Sequence, residues 1–241
     1  AMAEILLKVE ALQSGYGDVQ VLWGASLAVE AGSIACLVGS NGAGKTTLMR
    51  TLSGIVSTSA GSVHFAGQDL TRATPEKVLA AGIAHVPEGR RLFSAMSVRD
   101  NLLMGAYLRR DGEAAIRRDL DRMYAMFPIL ASRSSQNAGT LSGGEQQMCA
   151  IARGLMGSPK LLLIDELSLG LAPAVVESLC EALKQLNTQG LTLLVVEQDV
   201  ATALELAQRG FVMDTGRITR SGASAELRDD PAIREAYLGV I

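Results

Sequence analysis

Nine residues, GSNGAGKTT from Gly39 to Thr47, place two glycines around four residues and follow the second with Lys45 and Thr46. That spacing describes a loop that cradles phosphate. Its glycines let successive backbone N–H groups turn inward around phosphate oxygens, and a helix opening at Lys45 adds a partial positive charge at the same point. Ser40, Asn41, Gly42, Ala43 and Gly44 form the cradle. Lys45 then neutralises β and γ phosphates, Thr46 offers a hydroxyl to Mg²⁺ and Thr47 a further phosphate contact. A plain glycine-rich turn is the bland reading, and the full match in a strand-loop-helix context argues against it.

A second group of reactive residues closes the run LLLIDE, Leu161 to Glu166. Consecutive residues on a strand point to opposite sides, so Asp165 and Glu166 can take separate roles. Asp165 suits the shell of a Mg²⁺ ion, through water, and Glu166 suits the orientation and polarisation of an attacking water. Two acids in an exposed loop would not follow four aliphatic residues. The segment LLVVEQDV, Leu193 to Val200, likewise brings Gln198 to the carboxyl end of an apolar strand, where open α/β sheets place their chemistry. In LSGGEQQ, Leu141 to Gln147, the spacing Ser142-x-x-Glu145 on its own reads as a capping box.

The elements that must position these groups follow from hydrophobic periodicity. Leu6 to Leu12 and Val21 to Val29 alternate as antiparallel strands, with a turn at Ser14-Gly15-Tyr16-Gly17. Ser33 to Gly39 is a buried strand leading through the glycine-rich turn into a helix over about 45–53. A hairpin over 62–70 turns at Ala66-Gly67, and Ile83 to Val86 is a short strand ended by Pro87. From Ser97 to about Met156 the texture is helical throughout, with a cap at Ser97-x-x-Asp100 and a break at Pro128. Strands over 160–165, 192–196 and 210–214 alternate with helices beginning near Pro173 and ending at Gln208. The fold class is α/β, with 48% hydrophobic but only 4% aromatic residues in 241, as aliphatic parallel strands require.

The three motifs together resemble ATP-binding cassette (ABC) ATPases over nearly the entire chain. The nearest likeness is to LivF-type ATP-binding subunits of branched-chain amino acid importers, carried by Val86 to Phe93, Thr140 to Met148, Glu166 to Pro173, Val195 to Gln198 and the ending AYLG. The resemblance implies a P-loop NTPase ABC nucleotide-binding domain over 1–241, with a RecA-like core, an N-terminal antiparallel β subdomain and an α-helical subdomain inserted at about 97–156. It implies ATP and Mg²⁺ as ligands, and a head-to-tail dimer in which Ser142, Gly143 and Gly144 face the γ-phosphate held by the other subunit. Tyr16 takes the position of the aromatic that stacks on adenine, and Ser168 to Leu171 that of a dimer-contacting loop. The implied partners are a second, LivG-like cassette or another copy of the chain, two membrane permeases and, indirectly, a solute-binding protein. The implied place is the inner face of the cell membrane.

The chain departs from the family pattern at three positions. Most ABC ATPases have histidine where Gln198 stands and glutamine where Glu88 stands, although LivF-like chains commonly carry these substitutions. Gln198 can donate an amide hydrogen bond to a phosphate oxygen but cannot be protonated near neutral pH. Glu88 can ligate Mg²⁺ or stand as a solvated loop charge. Leu167 replaces the usual proline, which loses a fixed φ beside Glu166 and could loosen its loop. His64 and His85 read as structural.

Composition narrows the remaining classes. A net charge of −3 and a pI near 5.5 give no support to nucleic-acid binding. Mean hydropathy is +0.24, yet no apolar run of about eighteen residues is present to cross a bilayer. No export signal opens the sequence, Ala1 before Met2 reads as a cloning remnant, and the stop soon after Gly239 leaves no room for a regulatory domain, so the chain is expected in the cytoplasm. Cys36, Cys149 and Cys180 read as core thiols, and the pairs Arg90–Arg91, Arg109–Arg110 and Arg117–Arg118 as solvated faces. The other readings are an importer ATPase for urea or amides, an export ATPase, and a non-transport ABC protein acting on DNA or ribosomes.

Overall fold

The computed structural model describes residues 4–238, so Ala1, Met2 and Gly239 lie outside the described residues. Its centre is a six-stranded sheet. Strands β3 (Ile34–Val38), β7 (Leu161–Asp165) and β8 (Thr192–Glu197) are buried at every residue, as aliphatic runs covered on both faces must be. They run parallel with β6 (Ile83–Val86) and β9 (Arg209–Asp214), and β10 (Arg217–Ala223) closes the edge antiparallel in the order β10-β9-β3-β8-β7-β6. Register decides where the chemistry falls. Val38 pairs with Glu197 and Asp165 with Val196, so the segments carrying Lys45, Glu166 and Gln198 all leave one sheet edge at the same height.

Side chains alternate between two cores. Ile34, Cys36 and Val38 pack toward helices on one face; Ala35 and Leu37 pack toward α1 (Lys45–Leu52) and the N-terminal sheet on the other. That second sheet is antiparallel, with β1 (Ile5–Tyr16) between β2 (Val19–Glu30) and β4 (Thr58–Phe65), and short β5 (Gln68–Asp69) at the edge. The first hairpin turns later than its glycines suggest. Ser14, Gly15 and Tyr16 belong to β1, and the turn lies at Gly17-Asp18. Helix α2 (Pro75–Ala81), capped by Thr74, then leads into β6.

The segment between β6 and β7 is helical but not throughout. Helices α3 (Val98–Gly105), α4 (Glu113–Met126), α5 (Pro128–Ser132) and α6 (Gly143–Leu155) are separated by an irregular stretch at 106–112 and by turns and a short 3-10 helix (Ala138–Thr140) over 133–142. Ser97 caps α3 through the Asp100 N–H, and Pro128 marks the break between α4 and α5. Gly105 lets α3 touch α6: a Cβ there would lie 1.8 Å from the Arg153 carbonyl. Arg109 is not a solvated cation, since its side chain is 9% exposed and bonds Asp111, Asp119 and the Met156 carbonyl. The brace forms because a loop must bring α3 back to α4 across the end of α6, and guanidinium can bridge three acceptors at once.

Helices α7 (Pro173–Thr188) and α8 (Val200–Leu206) alternate with the last parallel strands, and α9 (Ser224–Asp229), α10 (Pro231–Ile233) and a π-helical segment (Arg234–Leu238) follow β10. Cys36 and Cys149 are buried free thiols, while Cys180 on α7 is half-buried. Among the described residues no helix is long and apolar enough to cross a membrane.

Candidate active site

The glycine-rich turn follows β3 and opens α1. Gly44 stands at its N-cap with φ +107°, a conformation that costs glycine little, and no side chain caps the first turn. The first N–H groups of α1 therefore point out of the loop, toward where an anion gains most from the helix terminus. Lys45 is 6% exposed, and its ammonium donates to the Gly39 and Ser40 carbonyls at 2.7 and 3.0 Å. Burial lowers its pKa, against the pull of Glu166, Asp165 and Glu197. Ala43 and Thr47 are buried beneath the loop, and Ser40, Asn41 and Gly42 are exposed on it.

Across from this turn, Asp165 ends β7. Thr46 Oγ1 donates to its Oδ1 at 3.3 Å, while Oδ2 is buried with no hydrogen-bond partner. Burial raises the Asp165 pKa first, Thr46 opposes that rise and the nearby Glu88 adds to it. A carboxylate oxygen buried without a donor, beside a hydroxyl and within the field of a second carboxylate, fits a divalent cation. Glu88 itself is exposed in the turn after β6.

Glu166 is 9% exposed and sits at φ +61°, a left-handed conformation unusual for a non-glycine residue. Burial lifts its pKa, which the Gln198 side-chain amide and Lys45 oppose and Asp165 and Glu88 reinforce. Gln198, exposed just past β8, thus faces Glu166. The concern over Leu167 has a physical answer in its side chain, which is 0% exposed and packed in the core beside α7. Core packing anchors the loop where proline would have stiffened it.

Glu197 escaped the sequence reading, which ends the strand at Val196. It is 1% exposed, and its two carboxylate oxygens accept from Ser168 N–H at 2.7 Å and Ser168 Oγ at 2.8 Å. Burial pushes its pKa up to about 7, with the Ser168 bonds opposing. An acid directly after five apolar-facing strand residues was the available signal.

Ser142 caps α6 in a full capping box: its Oγ accepts from the Glu145 N–H, and Glu145 accepts from the Ser142 N–H at 2.8 Å. Gly143 and Gly144 form the first turn, against Arg90, Leu171 and Val175. Among the described residues no hydrogen bond joins these three to Gly39–Thr47. Arg90 was also missed as a site neighbour. Its guanidinium reaches Gln147 at 3.3 Å and the Leu169 carbonyl at 3.5 Å, while Arg153 donates to the Arg90 and Arg91 carbonyls. Tyr16 is 44% exposed, bonds Arg50 of α1 through its hydroxyl and lines a cavity of about 690 Å³.

Residues 22–168 match the ABC transporter family. The chain is 42% identical over 234 residues to the high-affinity branched-chain amino acid transport ATP-binding protein BraG of Pseudomonas aeruginosa, covering 97% of this chain and 100% of that one. It is 31% identical to a probable branched-chain amino acid transport ATP-binding protein LivF of Archaeoglobus fulgidus, covering 98% and 100%. Among solved structures, the ADP conformation of an ATP-binding cassette of an ABC transporter superposes with a TM-score of 0.86 at 26% identity, over 98% of this chain and 99% of that one.

Proposed function

The chain belongs to the ABC transporter family as an ATP-binding, ATP-hydrolysing cassette, and from that premise we propose that it energises uptake of branched-chain or related hydrophobic amino acids through separate membrane permeases. The observation that carries the importer reading is the 42% identity to BraG over 97% of this chain and 100% of that one. The 241 residues act as one cassette, held at the inner face of the membrane by its permeases.

In this reading the loop amides of Gly39 to Thr47 and the Lys45 ammonium bind the β and γ phosphates of ATP, and Tyr16 stacks on the adenine. Thr46, Asp165 and Glu88 would hold Mg²⁺, which supplies charge neutralisation to the phosphates when bound. Glu166 accepts a proton from the attacking water. Its raised pKa suits that work, because a general base functions best when its own pKa approaches the operating pH. The Gln198 amide keeps the carboxylate aimed and offers an N–H to a phosphate oxygen.

That Ser142–Gly144 make no hydrogen bond to the P-loop among the described residues supports a composite site. Two cassettes, this chain with a LivG-like partner or with a second copy, would pair head to tail so that the α6 N-terminus of each meets the phosphate bound by the other. A solute-binding protein would deliver cargo to the permeases.

Affinity purification of tagged Glu166→Gln chain from gently solubilised cells with ATP present tests the assignment. Recovery of two permeases and a second cassette supports it. Recovery of ribosomal proteins or DNA-repair factors in their place contradicts it.

A further inference from the structure

Glu166 holds a backbone conformation that L-residues adopt only when their surroundings enforce it. Three attachments do so. The Glu166 N–H donates to the Val196 carbonyl at 3.1 Å, Leu167 is locked in the core, and Ser168 is bound through both its N–H and its hydroxyl to the Glu197 carboxylate. The first and third attach the loop after β7 to the end of β8, on either side of the buried Leu167. Gln198 is the next residue of that same strand end, and it faces the Glu166 carboxylate.

A carboxylate buried to 1% exposure is costly to desolvate, and an apolar residue would satisfy the strand equally well. What Glu197 adds is a two-point grip on the Ser168 backbone and side chain. We propose that Glu197 is a positioning residue for hydrolysis: by clamping Ser168 it fixes the loop of Glu166 against the strand end that carries Gln198, and so sets the distance and angle between those two groups. The inference rests on the reading of Glu166 as the residue that polarises the attacking water. It extends that reading to a residue that does not itself meet the nucleotide.

The amide of Glu197→Gln can accept from the Ser168 N–H and donate to its Oγ, whereas Glu197→Ala keeps neither bond. Steady-state hydrolysis by full-length chains with Mg-ATP, alongside Glu166→Gln, separates the outcomes. Glu197→Ala is expected to lower kcat about tenfold with KM for ATP within about twofold, and Glu197→Gln to stay within about threefold of wild type. Adding Ser168→Ala to Glu197→Ala should cost nothing further, since the Ser168 hydroxyl has then already lost its Glu197 partner. Should Glu197→Ala fail to fold, Ser168→Ala alone serves: a fall of about threefold in kcat at constant KM is expected, and no fall overturns the inference. It is also overturned if Glu197→Ala retains wild-type kcat while Glu166→Gln is inactive, if the loss appears in KM, or if Glu197→Gln falls as far as Glu197→Ala. Hydrolysis surviving in Glu166→Gln instead overturns the role of Glu166, and the inference with it.

Discussion

Thr46 and Asp165 are 119 positions apart in sequence, and the hydroxyl of one donates to the carboxylate of the other at 3.3 Å, across the gap between the first turn of α1 and the end of β7. That bond uses one Asp165 oxygen and leaves the other buried without a donor. Polar groups in such a state are retained where function needs them, at the expense of stability. Asp165→Asn should therefore leave the urea midpoint unchanged or higher, since it removes a charge whose burial raises its pKa. The same change should lower Mg-ATP hydrolysis by about a hundredfold. Equilibrium unfolding and an ATPase assay on one preparation check both halves.

The Glu166–Gln198 pair separates two roles. Gln198→His keeps a hydrogen-bond donor facing Glu166 and should preserve substantial hydrolysis, within about tenfold of wild type. Comparable losses from Gln198→His and Glu166→Gln would show that Gln198 does more than position. Leu167→Pro should lower stability by about 2 kcal/mol, because it removes a fully buried side chain from the core, and urea unfolding reads that cost.

Two buried groups give the pH dependence of stability opposite slopes. Burial pushes His85 down to about 4 from its ordinary 6.5, so the stability owed to its neutral ring is present above pH 6.5 and is lost as pH falls toward 4. Glu197 is pushed up from 4.5 to about 7, so the stability owed to its protonated form is present below 4.5 and is lost as pH rises through 7. Between pH 4.5 and 6.5 the two oppose. His85→Asn should unmask a decline with rising pH of about 2 kcal/mol over that window, measured by urea titration at several pH values. A profile that stays level in the variant would contradict the assignment.

The helical insertion depends on one close backbone approach and one buried cation. Gly105→Ala must drive α3 away from the Arg153 carbonyl, and Arg109→Ala leaves the Met156 carbonyl without its guanidinium donor and Asp119 with Arg122 as its remaining partner. Each should cost about 2–3 kcal/mol in thermal or urea unfolding. Nucleotide binding, proposed for Lys45 and Thr46 on α1 at the far face of the sheet, should persist in the folded fraction.

Much of this arrangement is legible in the sequence because the strands that carry it are continuous aliphatic runs. Such runs announce β3, β7 and β8, and the residues that end them become the site. The P-loop is readable for a different reason, since its glycines and its lysine are demanded by backbone geometry and by phosphate charge together. The exposed strand β10 was not legible: RITRSGA offers no apolar alternation, and only pairing with β9 makes it a strand. Nor was Glu197, whose significance lies in Ser168, 29 positions away. Arg109 escaped for a similar reason. A basic pair in sequence looks solvated until the fold supplies two carboxylates and a carbonyl around one member.

Steady-state ATP hydrolysis by wild type and Glu166→Gln, with nucleotide binding measured in parallel, tests whether Glu166 polarises the attacking water. Glu166→Gln is expected to bind Mg-ATP as tightly as wild type, or more so, and to hydrolyse it at least about a hundredfold more slowly. Hydrolysis by Glu166→Gln within about threefold of wild type would contradict that role, because another group would then be doing the work assigned to Glu166.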